Sequence, residues 1–253
     1  MKYVLSPTYE ASRKKLLEFI ENFEREGRLL NDGQRNSIKL FDLEAQTINI
    51  KSFKVPNAIN KIAYRFFRKS KAQRSFEYAG HLISKNIGTP FPIAYAEETS
   101  ALGFQESYYV SEHLPYELTY RELVTQPDFP DHEEILRAFT RFTFQLHENS
   151  IEFLDHSPGN TLIQIDGGEY KFYLVDLNRM NFRNLSFEDR MKNFARLTPK
   201  KEMVEVMANE YSKLITKPEA EVFNKMWMET LSFQEKFHRK QRMKKKLKFW
   251  KKA

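Results

Sequence analysis

The sequence contains no cysteine. That removes disulfide frameworks, thiolate metal centres, iron–sulfur ligation and a cysteine nucleophile together. No run approaches the roughly 20 apolar residues that a membrane-spanning helix needs. The opening MKYVLSPTYEASRKK lacks the apolar segment of a secretory signal, so a cytoplasmic protein is expected. The six histidines, His81, His113, His132, His147, His156 and His238, show no metal-ligand spacing. Glycine is scarce, eight in 253 residues, and a glycine-rich phosphate loop is missing where one would help most.

What is present fits a folded protein of one large domain or two small lobes, with 41% hydrophobic and 30% charged residues. The formal charge of +7 is unevenly placed. Ten of the 41 basic residues, and no acid, fall in 236–253. The body is mildly acidic and the tail strongly basic, so a whole-chain argument for nucleic acid would mistake a tail for a domain.

The apolar spacing predicts a helix over 8–26, carrying Leu16, Leu17, Phe19, Ile20 and Phe23 on one face. Strands are expected at 28–31, 37–43 and 47–53, and a basic, aromatic helix at 56–68. Ser70 is a plausible N-cap for a helix over 70–86. Strands at 91–97 and 108–111 follow. From 132 the pattern is mainly helical, interrupted by two strands at 161–166 and 170–175 around Asp166-Gly167-Gly168. The sum is an α+β, two-lobe pattern. An N-terminal lobe would span 1–113, a helical lobe 114–235 and a basic amphipathic tail 236–253.

The most informative segment is Leu154-Asp155-His156-Ser157-Pro158-Gly159-Asn160, with Asp176 after the next strand pair. Magnesium takes oxygen ligands, one or two carboxylates among them, together with substrate phosphates. Asn160 and Asp176 are the candidate ligands. Asp155 is the candidate base for a hydroxyl proton. An Asp and an Asn five apart, followed by a second Asp at a strand end, resemble the protein-kinase set. Upstream, Lys51 in Ile48-Asn49-Ile50-Lys51 matches the strand lysine that meets nucleotide phosphates, and Glu77 the helical acid that orients it. Lys54, a competitor for Lys51, would face the other side of the strand. Gly33 and Arg35 are the candidates for a phosphate-covering loop. The stretch Tyr109-Val110-Ser111-Glu112-His113-Leu114 sits where backbone groups, Glu112 and Leu114 among them, would meet adenine.

These motifs resemble the lipopolysaccharide kinase (Kdo/WaaP) family. The residues that carry the likeness are the 154–160 loop, Val175-Asp176-Leu177-Asn178-Arg179-Met180, Lys51 and Glu77. Phe66-Phe67-Arg68-Lys69-Ser70-Lys71-Ala72 and Asn193-Phe194-Ala195-Arg196-Leu197 are similar to the Bacteroidetes branch. The resemblance spans roughly 28–200. It implies a protein-kinase-like fold and transfer of the ATP γ-phosphate to a hydroxyl on an inner-core sugar, Kdo or heptose with Kdo the leading expectation, of a lipid A precursor at the cytoplasmic membrane face. It implies Asp155 as catalytic base, Asn160 and Asp176 as magnesium ligands, Lys51 as phosphate binder and Glu77 as its orienting acid. Phe153 stands where many protein kinases have the histidine of His-Arg-Asp, and Asn178 replaces the glycine of Asp-Phe-Gly. Neither an Ala-Pro-Glu nor an activation loop is recognisable. These departures point away from a regulated protein kinase.

The polybasic tail with Phe249 and Trp250 suits an anionic membrane surface. A nucleic-acid partner is not expected. The basic residues within 58–74 are candidates for docking the anionic acceptor. The competing readings are a kinase-fold phosphotransferase for another acceptor and a membrane-associated pseudokinase scaffold.

Overall fold

The computed structural model describes residues 1–32, 36–53, 69–100 and 103–250. The expected helix at 56–68, Gly33, Arg35 and Lys54 lie outside the described residues. The chain divides into two compact units. One comprises 1–115 with 173–179, and the other 116–172 with 180–253.

The first unit is built on a six-stranded sheet. Strand β1 (Lys2–Leu5) leads through a 3-10 turn (Pro7–Ser12) into α1 (Arg13–Glu21). Then come β2 (Arg28–Asp32), β3 (Asn36–Leu43) and β4 (Gln46–Phe53), followed by α2 (Lys71–Ser84), β5 (Pro92–Ser100) and β6 (Gly103–Glu112). The spatial order is β1-β5-β6-β4-β3-β2. β4 pairs antiparallel with β3, setting Lys51 opposite Ile38, and with β6, setting Lys51 opposite Tyr109.

Strand alternation sorts the side chains onto two faces. Ile48 and Ile50 join Leu16, Phe19, Ile20 and Phe23 of the N-terminal segment in one buried cluster with Phe41, Ala94 and Val110. Phe53, Tyr95 and Ala72 of α2 form a second cluster, with Phe76 and Tyr109 against it. Lys51 has the parity of Phe53, and its ammonium lies 5.3 Å from the Phe53 ring centroid. Ser70 caps α2 by accepting from the Gln73 N–H at 2.9 Å.

The second unit begins with β7 (Leu118–Thr119) and α3 (Tyr120–Thr125), the latter started by a Thr119/Glu122 capping box. The long α4 (His132–Glu148) buries Ile135, Leu136, Phe139, Phe142, Thr143, Leu146 and His147. Strand β8 (Ile151–Phe153) leads into the 154–160 loop, and β9 (Thr161–Asp166) and β10 (Glu169–Leu174) follow. Gly167 and Gly168 turn that hairpin at φ of +58° and +88°, a backbone that residues with a Cβ rarely adopt. β11 (Met180–Phe182) pairs with β8, placing Met180 opposite Phe153. Helices α5 (Phe187–Phe194), α6 (Lys201–Ile215) and α7 (Glu219–Trp250) complete the unit. The early part of α7 buries Val222, Met226 and Thr230, whereas the side chains from Glu235 to Lys246 are exposed.

Several short elements carry too little periodic pattern to be expected from sequence: β1, β7, β8, β11 and α3. The expected helix over 8–26 is a 3-10 turn followed by a shorter α-helix, because Pro7 and the run to Ser12 tighten its start. The tail is the last stretch of one 32-residue helix rather than a separate segment.

Candidate active site

On the first unit, Lys51 and Asp176 are paired. Lys51 Nζ donates to Asp176 Oδ1 at 2.5 Å, and the lysine side chain is only 14% exposed. The same oxygen accepts from Asn178 Nδ2 at 2.8 Å. Asn178, at the position of the Asp-Phe-Gly glycine, thus holds the carboxylate, which no glycine side chain could do. Asp176 adopts a left-handed φ of 60°, and the segment before it is tied down. Leu174 N–H donates to Gly88 O at 2.9 Å, and Thr89 Oγ1 donates to Leu174 O at 2.8 Å.

Glu77 is engaged elsewhere. Lys69 donates to it at 2.6 Å and Gln73 at 2.9 Å. The orienting contact expected from Glu77 to Lys51 is therefore replaced by the Asp176 pair. The physical reason is local: Lys69, just ahead of the Ser70 cap, and Gln73, one helical turn before Glu77, both reach its carboxylate.

Glu112 and Leu114 differ in what they have left to offer. The Glu112 N–H donates to Phe91 O at 3.0 Å, its carbonyl accepts from Asn49 Nδ2 at 3.2 Å, and its carboxylate accepts from Tyr9 Oη at 2.6 Å. Its N–H is spent within the sheet. Among the described residues no hydrogen bond occupies the Leu114 N–H.

On the second unit, the 154–160 loop is cross-braced. Asn160 Nδ2 donates to Asp155 O at 2.8 Å, and Asn160 N–H donates to Ser157 O at 2.9 Å. Committing Nδ2 inward fixes the amide so that Oδ1 remains the acceptor end, the orientation an oxygen ligand requires. Arg196 Nη1 donates to Asp155 Oδ1 at 2.8 Å and to Leu154 O at 2.7 Å. A buried relay supports the strand before the loop. Tyr211 Oη donates to His147 Nδ1 at 2.7 Å, His147 Nε2 donates to Asn193 Oδ1 at 3.2 Å, and Asn193 Nδ2 donates to Phe153 O at 2.9 Å. Burial pushes His147 down to about 4, so it is neutral and can both accept and donate.

His156, beside Asp155, is 1% exposed and stacks on Phe139 with centroids 5.3 Å apart. Thr143 spends its hydroxyl proton on Phe139 O, so His156 Nε2 donates to Thr143 Oγ1 at 3.2 Å and Nδ1 is left as a buried acceptor without a partner among the described residues. Burial pushes it down to about 3. It shapes the loop from within. Arg196, Asn193 and His147 were not singled out as site residues from the sequence. They lie 40 residues or more away from the atoms they hold, or on the helix before them, and no local spacing signals the contact.

A family model for the lipopolysaccharide kinase (Kdo/WaaP) family matches residues 54–227, more than two thirds of the chain. The chain belongs to that family. The matched span contains Glu77, Glu112, Leu114, Asp155, Asn160, Asp176 and Arg196, while Lys51 precedes it. A comparison with curated proteins found no match. Among solved structures, a WaaP in complex with acyl carrier protein is similar over 95% of this chain and 99% of its own, with a TM-score of 0.62 and 15% identity. A MAP kinase, LmaMPK10 from Leishmania major, aligns over 81% of this chain and 61% of its own, with a TM-score of 0.47 and 15% identity. The fold is kinase-like, and the family makes this an ATP-dependent kinase acting on a sugar hydroxyl of the lipopolysaccharide core.

Residues for magnesium must be sought among oxygen donors. Among the described residues no three of His, Asp or Glu converge as a metal cluster. A magnesium ion needs only one or two protein carboxylates when substrate phosphates and water complete its shell. Asp176 on the first unit and Asn160, with its fixed Oδ1, on the second are each oxygen donors of the kind such a shell takes.

Proposed function

We propose that this kinase phosphorylates Kdo in a lipid A precursor, using magnesium with ATP, at the cytoplasmic face of the membrane. The observation that carries the reading is the bracing of Asp155. Its main-chain carbonyl is held by Asn160 and its carboxylate by Arg196, so the acid is presented on a rigid loop. Asp155 accepts the proton of the sugar hydroxyl as that oxygen attacks the γ-phosphorus, and ADP leaves. Asn160 and Asp176 are the oxygen ligands for magnesium, which supplies charge neutralisation on the phosphates when bound. Lys51 binds phosphate once it is released from Asp176. Glu77 takes its place as the partner of Lys51 by leaving Lys69. Leu114 meets adenine through its N–H.

The tail supports a membrane-side acceptor. Along α7, Lys236, Arg239, Lys240, Arg242, Lys244, Lys245 and Lys246 fall on every side of the helix and are exposed. A helix basic all round attracts an anionic surface without a strong apolar face to insert, which fits peripheral association by charge. No described helix is long and apolar enough to cross a membrane.

The test is ATP turnover with magnesium, with and without a Kdo-bearing lipid A precursor, for the parent and Asp155→Asn. Acceptor-dependent phosphate transfer that falls by at least ~10²-fold in the variant is expected for a lost general base. Transfer to a heptose-bearing acceptor and none to Kdo would overturn the acceptor assignment.

A further inference from the structure

We propose that Arg196 is the positioning residue for Asp155, held in place by Phe233 of α7. The inference rests on the reading of Asp155 as the base. Both bonds made by Arg196 Nη1 end on the loop, one at the carboxylate and one at the main-chain carbonyl of the preceding residue. Two bonds from one nitrogen fix the carboxylate relative to its own backbone, which a single ion pair cannot do. The guanidinium carbon lies 5.6 Å from the Phe233 ring centroid, so an aromatic face backs the group.

Leu154 explains why the arginine comes from afar. In the His-Arg-Asp pattern of protein kinases the residue before the catalytic Asp is an arginine, and here that position is Leu154. The loop carries no cation of its own beside Asp155. Arg196, just after the end of α5, supplies one from outside the loop.

A purely stabilising ion pair fits the geometry less well. Arg196 Nε is buried and has no hydrogen-bond partner among the described residues. An unpaired buried donor on a charged group costs stability. The arginine keeps its contacts to Asp155 and Leu154 at that cost. A cavity of about 220 Å³, lined by Leu154, His156, Lys192, Arg196, Phe233 and Lys236 among others, also borders the side chain. Replacing the arginine with methionine therefore removes the charge and its donors without crowding a closed core.

Steady-state kinetics with a lipopolysaccharide-precursor acceptor would compare Arg196→Met, Arg196→Lys, Phe233→Leu, Asp155→Asn and the Asp155→Asn/Arg196→Met double variant. Thermal unfolding and ADP binding would be read for each. Misplacing a reacting group by about 1 Å can cost ~10²-fold. The expected result is a kcat for Arg196→Met lower by roughly 10–100-fold with KM for ATP and acceptor within about twofold. Arg196→Lys should recover most of that loss, and Phe233→Leu should give a smaller drop of the same kind. The double variant should be no slower than Asp155→Asn, since both act through one carboxylate. An Arg196→Met kcat within about twofold of the parent, while Asp155→Asn is inactive, overturns the positioning role and leaves the base intact. An active Asp155→Asn instead overturns the reading of Asp155 itself. If Arg196→Met does not fold, Arg196→Lys and Arg196→Gln decide: equal kcat in the two would exclude a role for the positive charge.

Discussion

Lys51 Nζ and Asp176 Oδ1 stand 2.5 Å apart, so the candidate phosphate-binding lysine and the candidate metal-binding aspartate neutralise each other. In the proposed roles each stands in for the ligand of the other: the aspartate for phosphate at the lysine, the lysine for a cation at the aspartate. On that reading, magnesium–ATP would supply both partners at once and exchange the pair without leaving either charge alone. Removing only one member should therefore be worse for stability than removing both. Lys51→Met is expected to abolish turnover and lower stability. Lys51→Met/Asp176→Asn should recover part of that stability with no activity. A double-mutant cycle by chemical denaturation should give a coupling of about 1 kcal/mol, the upper range for a pair with one partly exposed member.

Glu77 and Lys69 provide a second test, because Glu77 can act on Lys51 only by leaving its present partner. The Lys69 side chain is 58% exposed, so its pair with Glu77 is weak and exchangeable. Glu77→Gln is expected to raise the KM for ATP by about tenfold, whereas Lys69→Met should leave it unchanged or lower it. Equal increases in both variants would confine Glu77 to pairing at the start of α2.

The strands β3 and β4, helix α4 and the β9–β10 hairpin were legible in the sequence because each has a long, clean period or a Gly-Gly turn. Lys51, Asp155, Asn160 and Asp176 stand out as candidates from the sequence because each is set in a recognisable spacing. The partner of Lys51 was not legible. Parity along β4 places the lysine on the α2 face, but parity cannot choose between Glu77 on that helix and Asp176, 125 residues away in the chain. The bracing of Asp155 was equally hidden, since Arg196 reads locally as one more basic residue after a helix. The difference between Glu112 and Leu114 depends on which main-chain groups the sheet consumes, which only pairing reveals.

His147 and His156 should make the protein acid-sensitive. Both are held neutral by burial, at about 4 and about 3, against an ordinary value near 6.5. Between these values and pH 6.5 the unfolded chain binds protons that the folded chain refuses. Stability is then fully present above pH 6.5 and falls as the pH drops toward 4, by about 1.4 kcal/mol per unit for each histidine. Thermal unfolding followed from pH 8 to 4 should show a plateau and then a decline below 6.5. His156→Phe keeps the stacking on Phe139 and removes the unpartnered Nδ1, so its curve should be shallower over the same window. A variant curve parallel to the parent's would show that His156 does not carry this sensitivity.

The basic end of α7 should be separable from the fold. Among its described side chains the last buried one is Thr230, and those of 235–246 are exposed, so no described core packing depends on 236–246. Deleting 236–253 is expected to leave the melting temperature within a few degrees of the parent's, since no described buried apolar group is lost. Binding to vesicles containing anionic lipid should depend on the same stretch. Each basic residue near such a surface contributes about 1 kcal/mol, so Lys244→Glu/Lys245→Glu/Lys246→Glu should weaken partitioning by at least ~10²-fold. The interaction should also fade as salt rises from 0.05 to about 0.5 M, because screening shortens the reach of the charges. Co-sedimentation with anionic and zwitterionic vesicles measures all three effects. If the triple variant binds anionic vesicles as the parent does, charge on α7 is not what brings the kinase to a membrane. If it loses binding but keeps full turnover on an acceptor in detergent, α7 delivers the enzyme to its substrate and takes no part in the chemistry.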